Sequence, residues 1–249
     1  MTGFGKEKTM AEPTRENIAK ASDKLIIPPG SQVNKYLDLI DRDSQGDHTG
    51  LGPIYHGPDL EFTSYPGRNL IVDAYVIERA SIPELKDHSV TAYRNLTGFS
   101  LEMLPGMIEA TILAGSDHLI LPYPGTNNWD EPKRWMVAKN KAVEAAQRPS
   151  QPKTYMWSPP SLGGIISGAA ASFGFDGIIT HFGGFPSAKS QSEGKQVEII
   201  VELDDGDEDT VTKALQAGAD KVIVYGLDTS TDQCVKRVQT LINEIIATL

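Results

Sequence analysis

From Arg68 onward the chain alternates short apolar runs with amphipathic stretches. The apolar runs "NLIVDAYVI" (69–77), "GFSLEML" (98–104), "DHLILPY" (117–123), "KTYMWSP" (153–159), "DGIITHF" (176–182), "VEIIVEL" (197–203) and "DKVIVYG" (220–226) each have the length of a strand buried on both faces. Between them lie helical patterns at about 106–114, 131–147, 162–174 and 209–219, and Asp209 suits the N-cap of the last of these. The closing stretch carries Val235, Val238, Leu241, Ile242, Ile245 and Ile246 on one helical stripe.

Upstream the pattern is weaker. Residues 1–22 read as a polar N-terminal arm or a first short helix, and "KLIIPP" (24–29) is one more short strand, stopped by prolines. Residues 31–68 are rich in Gly, Asp and Pro and have poor periodicity, with one expected helix at 33–41. A loop insertion of that length is usually functional or mobile. Counting the first run, eight strands alternate with helices, which predicts an α/β fold of the TIM (β/α)8 barrel type, modified by the long N-terminal loop region, in a single domain over 1–249. An open doubly wound sheet is the rival, and the dinucleotide glycine fingerprint that would favour it is absent.

Composition narrows the partners. The net charge is −10, which opposes nonspecific nucleic-acid binding, and no basic tract interrupts it. The single cysteine, Cys234, allows no intrachain disulfide and no Cys-based zinc site. No apolar run has the roughly 18 residues of a membrane helix. The charged N-terminus has no apolar signal-peptide core, and the expected location is cytoplasmic.

In a TIM barrel the chemistry sits at the C-terminal ends of the strands. That rule selects Asp73, Tyr75 and Arg79 after strand two, Glu102 after strand three, and Tyr123 with "PGTNNW" after strand four. It then selects Trp157 and Ser158, His181, Glu202 with Asp204, and finally Tyr225 and Gly226. Lys24, Lys153 and Lys221 fall at strand starts, at the opposite mouth, which argues against a Schiff-base aldolase. Acids, aromatics and amides with one histidine suit Mg²⁺ held through carboxylate and phosphate oxygens. Each residue also has a plainer reading. His181 can fill a hydrogen-bonded barrel position, Trp129 and Trp135 can be packing, and His48 and His56 read as solvated. Glu102 and Glu202 lie in apolar strands, where a carboxylate needs a partner. The run Asp204-Asp205-Gly206-Asp207-Glu208-Asp209 can be a solvated helix start whose acids offset the helix dipole.

The stretch from 98 to 146 resembles the TIM-barrel prenyltransferases related to geranylgeranylglyceryl and heptaprenylglyceryl phosphate synthases. The residues that carry the likeness are Leu101-Glu102, Ile108-Glu109-Ala110, Asp117, Asn127-Asn128, Trp135 and Lys141-Ala142, with Tyr155 and Pro160 in the fifth strand and Gly226 after the last. The resemblance covers about residues 69–249. The family's Asp-Pro-x-Lys motif is replaced here by Ile27-Pro28-Pro29-Gly30. Its strand-six Tyr-x-Glu and Ser-Gly become Ile179, Thr180, His181 and Gly183-Gly184. Its Gly-Gly-Gly loop becomes Leu203-Asp204-Asp205-Gly206. These departures resemble a divergent member of the moenomycin-type farnesyl-3-phosphoglycerate synthase kind.

The resemblance implies an enzyme that joins a farnesyl-like allylic prenyl diphosphate to a hydroxyl of a phosphorylated three-carbon acceptor, 3-phosphoglycerate, in making a phosphoglycolipid antibiotic. It implies Mg²⁺, placed here on Asp204 and Asp205, a homodimer, and peripheral membrane contact through the lipid product. His181 would act as base in place of the family's glutamate, with Glu102 and Glu202 as further catalytic carboxylates. Tyr155, Trp157 and Phe182 would shield the allylic cation, and Arg79 would hold the acceptor. Asn127, Asn128, Gly183, Gly184, Tyr225, Gly226 and Thr229 would complete the substrate site, with Gly226 and the amides at 228–231 acting through the start of the closing helix. Two other classes stand beside this one: an aldolase or epimerase acting on a sugar phosphate, and a barrel that binds a ligand without catalysis.

Overall fold

The computed structural model describes residues 14–27, 56–57, 60–61, 68–73, 90–113, 116, 118–148, 151–159, 162–203, 208–224 and 231–249. Eight parallel strands close into a barrel. They are β1 (Leu25–Ile27), β2 (Arg68–Asp73), β3 (Val90–Asn95), β4 (His118–Leu121), β5 (Lys153–Trp157), β6 (Gly177–His181), β7 (Glu198–Leu203) and β8 (Lys221–Val224). Closure is made by β1, which pairs with β8 through Ile26↔Ile223 and with β2 through Ile26↔Asn69. A two-stranded ribbon, His56–Gly57 against Leu60–Glu61, stands apart within the long N-terminal region. The predicted helix at 33–41 lies outside the described residues.

The helices are α1 (Arg15–Lys24), α2 (Leu104–Leu113), α3 (Asp130–Ala145), α4 (Gly163–Phe173), α5 (Phe185–Ser192), α6 (Glu208–Gln216) and α7 (Thr231–Ile246). Helix α3 shows why the pattern folds this way: Pro132, Trp135, Lys139, Ala142 and Val143 repeat at helical spacing and are the residues it buries. Helix α4 stops at Gly174, whose φ of 81° is a left-handed cap that glycine takes without strain. No described helix is long and apolar enough to cross a membrane.

Two apolar clusters result. The larger fills the space between barrel and helices, with Leu119, Met156, Ile178, Ile199, Val201 and Val222 on the outward faces of the strands. The smaller lies inside the barrel: Ile26, Tyr93, Ile120, Tyr155, Ile179, Ile200 and Ile223. Because barrel strands tilt, residues at one height come from alternate strands. Ile26, Tyr93, Tyr155 and Ile200 come from the odd strands, and Ile120, Ile179 and Ile223 from the even ones. Burial of each isoleucine contributes about 1.5–3 kcal/mol, so the interior is a packed core and not a pore.

One strand differs from the sequence expectation. The third strand is 90–95, and residues 98–104 are a turn that runs into α2. In "VTAYRN" the alternation puts Tyr93 inside the barrel and Arg94 on the outward face, and both are fully buried. A buried arginine on a helix-facing side hides the strand from a reading that expects apolar residues there. "GFSLEML" is apolar for another reason: from their turn Phe99 and Leu101 pack against the outer core, as does Leu104 at the start of α2. Of the second expected strand, the structure describes Arg68–Asp73, and residues 74–77 lie outside the described residues. A helical segment follows β6, a 3-10 turn over Phe182–Gly184 and then α5, in a stretch to which the sequence reading assigned no element.

Candidate active site

The C-terminal mouth is built by β5, β6 and β7. Trp157 ends β5, His181 ends β6, and Glu202 lies one residue short of the end of β7. Strand register makes His181 and Glu202 direct neighbours, both on the inward face. Trp157 is opposite Ile179, one inward position below His181. The tilt of the strands brings Trp157 and Glu202 to one height across β6, and the indole Nε1–H donates to Glu202 Oε1 over 3.1 Å. Glu202 is only 8% exposed. Its neighbours in the strand, Val201 and Leu203, face the outer core. Alternation therefore forces Glu202 inward, and the indole supplies a partner that a buried carboxylate requires. Trp157 also packs by its ring on the inner apolar cluster, so it closes the barrel interior from above.

Asn95 ends β3 on the inward face, next to Asp73 at the end of β2. Its Oδ1 accepts from Thr97 N at 3.1 Å and Thr97 Oγ1 at 2.7 Å, which fixes the turn leaving the strand. This residue had no place in the sequence reading because the strand itself was placed eight residues too late.

The other expected site residues divide into three groups. Glu102 ends no strand; it is exposed in the turn before α2. Asn127 and Asn128 are exposed on the loop after β4, which turns at Gly125 with φ 89°. Gly183 and Gly184 form the turn after β6, but a side chain at Gly183 would meet nothing within 4 Å, so the turn does not depend on glycine there. Tyr155 is placed lower in the barrel. It is fully buried, and its hydroxyl donates to Glu198 Oε2 at 2.5 Å, toward the N-terminal end of β7. Arg79, Asp204, Asp205, Tyr225, Gly226 and Thr229 lie outside the described residues. Trp135 is core, and Trp129 stacks on Phe173 at 5.8 Å, so both tryptophans are packing.

A second polar group lies at the strand starts. Tyr93, His118 and Tyr155 gather their rings within 4.5 to 5.8 Å. Glu198 takes the Tyr155 hydroxyl on one oxygen and Lys153 Nζ on the other at 3.2 Å. Burial pushes both tyrosine hydroxyls well above the ordinary range, and the nearby Glu198 charge pushes them further. Lys221 donates to the Asp23 carbonyl and carboxylate at 2.8 Å each. Lys153 and Lys221 are thus engaged at the N-terminal end, as the sequence placed them. No lysine stands among the described residues at the C-terminal strand ends.

A groove of about 680 Å³ runs outside the barrel, between α5 and β7, lined by Phe182, Phe185, Pro186, Lys189, Val197 and Ala217 among others. It is large enough for a small ligand. It holds none of the mouth carboxylates, and only Phe182 touches the rim beside His181. The groove is therefore separate from the mouth.

The residues expected to hold Mg²⁺, Asp204 and Asp205, lie outside the described residues. Mg²⁺ takes six oxygen ligands in near-ideal octahedral geometry, and the described strand ends bring Asp73, Glu202 and His181 to the mouth. Among the described residues no group of three His, Cys, Asp or Glu could hold a metal ion.

No protein-family model matches the sequence, and no curated protein does. Solved structures do match in fold. QR15, an aldolase, is 12% identical over 90% of this chain and 96% of its own, with a TM-score of 0.58. An HpcH/HpaI aldolase/citrate lyase family protein from Burkholderia cenocepacia is 9% identical over 93% and 98%, with a TM-score of 0.56. A Coccidioides immitis protein ascribed to the deoxyribose-phosphate aldolases is 9% identical over 92% and 88%, with a TM-score of 0.59. At these identities the likeness concerns the fold: an α/β barrel of the TIM type, the part of the prenyltransferase resemblance that holds.

Proposed function

We propose that this chain is a barrel lyase of the aldolase type that works without a Schiff base, on a small hydroxy-carbonyl substrate of the sugar-phosphate class. The observation that carries it is the carboxylate of Glu202, buried at the C-terminal mouth beside His181 and hydrogen-bonded by Trp157. The barrel neighbours named aldolases agree with it.

Glu202 would take the proton of the substrate's β-hydroxyl. The bond between the α and β carbons then breaks, the hydroxyl carbon leaves as an aldehyde, and the electron pair passes into the enolate of the carbonyl fragment. His181 would donate a hydrogen bond to the enolate oxygen as its charge develops. The proton held by Glu202 returns to the enolate carbon, which balances the step. A phosphate on the substrate would find backbone amides at the start of α7. No step is routed through a metal.

Prenyl transfer to 3-phosphoglycerate is the competing outcome. Tyr155, expected to shield an allylic cation, is buried below Trp157. The test incubates the protein with a panel of sugar phosphates and hydroxy-oxo acids, with Mg²⁺ and with EDTA, and detects aldehyde. A parallel arm supplies farnesyl diphosphate and 3-phosphoglycerate. Aldehyde release supports the proposal; a prenyl ether with no aldehyde, or no product in either arm, overturns it.

A further inference from the structure

We propose that Trp157 is a positioning residue for Glu202, an inference that rests on the lyase reading of the mouth. Three observations meet here. The bond joins β5 to β7 and passes over β6, so it fixes Glu202 from across the barrel and not from its own strand neighbours. An indole N–H only donates, so it matches an acceptor oxygen and offers nothing to a protonated carboxyl's own hydrogen. The indole ring itself is anchored on the inner cluster that contains Ile179 and Tyr155. The donor therefore sits on a packed layer, and Glu202 inherits that rigidity.

The consequence is directional. Of the two carboxylate oxygens, Oε1 takes the indole N–H from the β5 side, which restrains the side-chain torsions of Glu202. A flexible glutamate has three side-chain torsions to order, and a misplacement of about 1 Å costs on the order of 10²-fold in rate. Trp157 thus acts through Glu202 and does not itself touch the reacting atoms.

The experiment uses the full chain and two variants. Trp157→Phe keeps an aromatic ring on the apolar layer and removes the donor. Glu202→Ala removes the acceptor. In a ¹H–¹⁵N spectrum the indole signal that disappears in Trp157→Phe is expected downfield and protected from exchange, and it should move upfield in Glu202→Ala. An indole signal unmoved by Glu202→Ala overturns the proposal without reference to any activity. With a substrate found, Trp157→Phe should lower kcat by on the order of 10- to 100-fold with KM within about threefold. An unchanged kcat with only a lowered Tm makes Trp157 structural and overturns the proposal alone. A wild-type protein inert on the whole panel sinks the lyase reading instead, while the indole response still decides whether the pair is coupled.

Discussion

The ring of Tyr155 occupies the space that a side chain at Gly177 would need. A Cβ at Gly177 would come within 2.8 Å of the Tyr155 ring and 2.6 Å of the Glu198 carbonyl oxygen. The two residues face each other across β5 and β6 in register, so the glycine is what lets a tyrosine enter the barrel at that height. Gly177→Ala is accordingly expected to destabilise by about 1–3 kcal/mol through overpacking. In a Tyr155→Leu background the cost should shrink, because the two changes share one space. Chemical denaturation of the four proteins measures the coupling, and strict additivity would refute it.

Lys139 on α3 is buried and reaches Asp176, at the start of β6, over 3.3 Å. The same carboxylate oxygen accepts from Thr154 N at 2.7 Å and Thr154 Oγ1 at 3.1 Å. Asp176→Ala should cost about 2–4 kcal/mol, since it leaves a buried ammonium and a backbone N–H without that partner. Lys139→Met, which removes the charge and keeps the apolar stem, should cost much less. Urea midpoints for the two variants settle the order, and a Lys139→Met protein weaker than Asp176→Ala would contradict the account.

Stability should fall in alkali earlier than surface charge alone would bring about. Tyr93 and Tyr155 are held protonated by burial, so their folded-state pKa values lie above the unfolded value of 10.0. For such a group the folded state keeps its proton while the unfolded chain loses it. The contribution is complete below about pH 10 and declines as pH rises beyond it. Each tyrosine then removes about 1.4 kcal/mol per pH unit. Urea titrations between pH 9 and about 11.5 should show this slope, and Tyr93→Phe should reduce it. An identical slope in that variant would mean that Tyr93 ionises in the folded protein as readily as in the unfolded one.

The barrel was legible in the chain because seven of its eight strands announce themselves as apolar runs between amphipathic helices. Strand 90–95 escaped because Arg94 and Asn95 look like loop residues: the first is buried on the outer face and the second ends the strand at the mouth. That misplacement carried Glu102 into the expected site and left Asn95 out. The position of His181, Glu202 and Trp157 at the mouth was legible because the ends of β5, β6 and β7 fall where their sequences change from apolar to polar. The Trp157–Glu202 bond was not legible, since it depends on barrel tilt bringing residues of alternate strands to one height. The Tyr155 position failed for a related reason. Tyr155 faces inward, yet one inward position along a strand separates the mouth from the sealed interior.

The mouth geometry ranks the expected site residues by their effect on turnover. Glu202 is buried, hydrogen-bonded and adjacent to His181, whereas Asn127 is exposed on the loop after β4. With a substrate in hand, Glu202→Gln should lower kcat by on the order of 10²- to 10⁴-fold, the range for removing a general base. The amide can still accept the Trp157 N–H, so the fold should be retained and the loss should be chemical. Asn127→Ala should leave kcat/KM within about twofold, an effect below about 0.5 kcal/mol. Glu102→Ala, in its exposed turn, should behave like Asn127→Ala. Steady-state kinetics on the three variants, with melting curves to confirm that each is folded, tests the ranking. A Glu102→Ala protein as impaired as Glu202→Gln would move the chemistry away from β7.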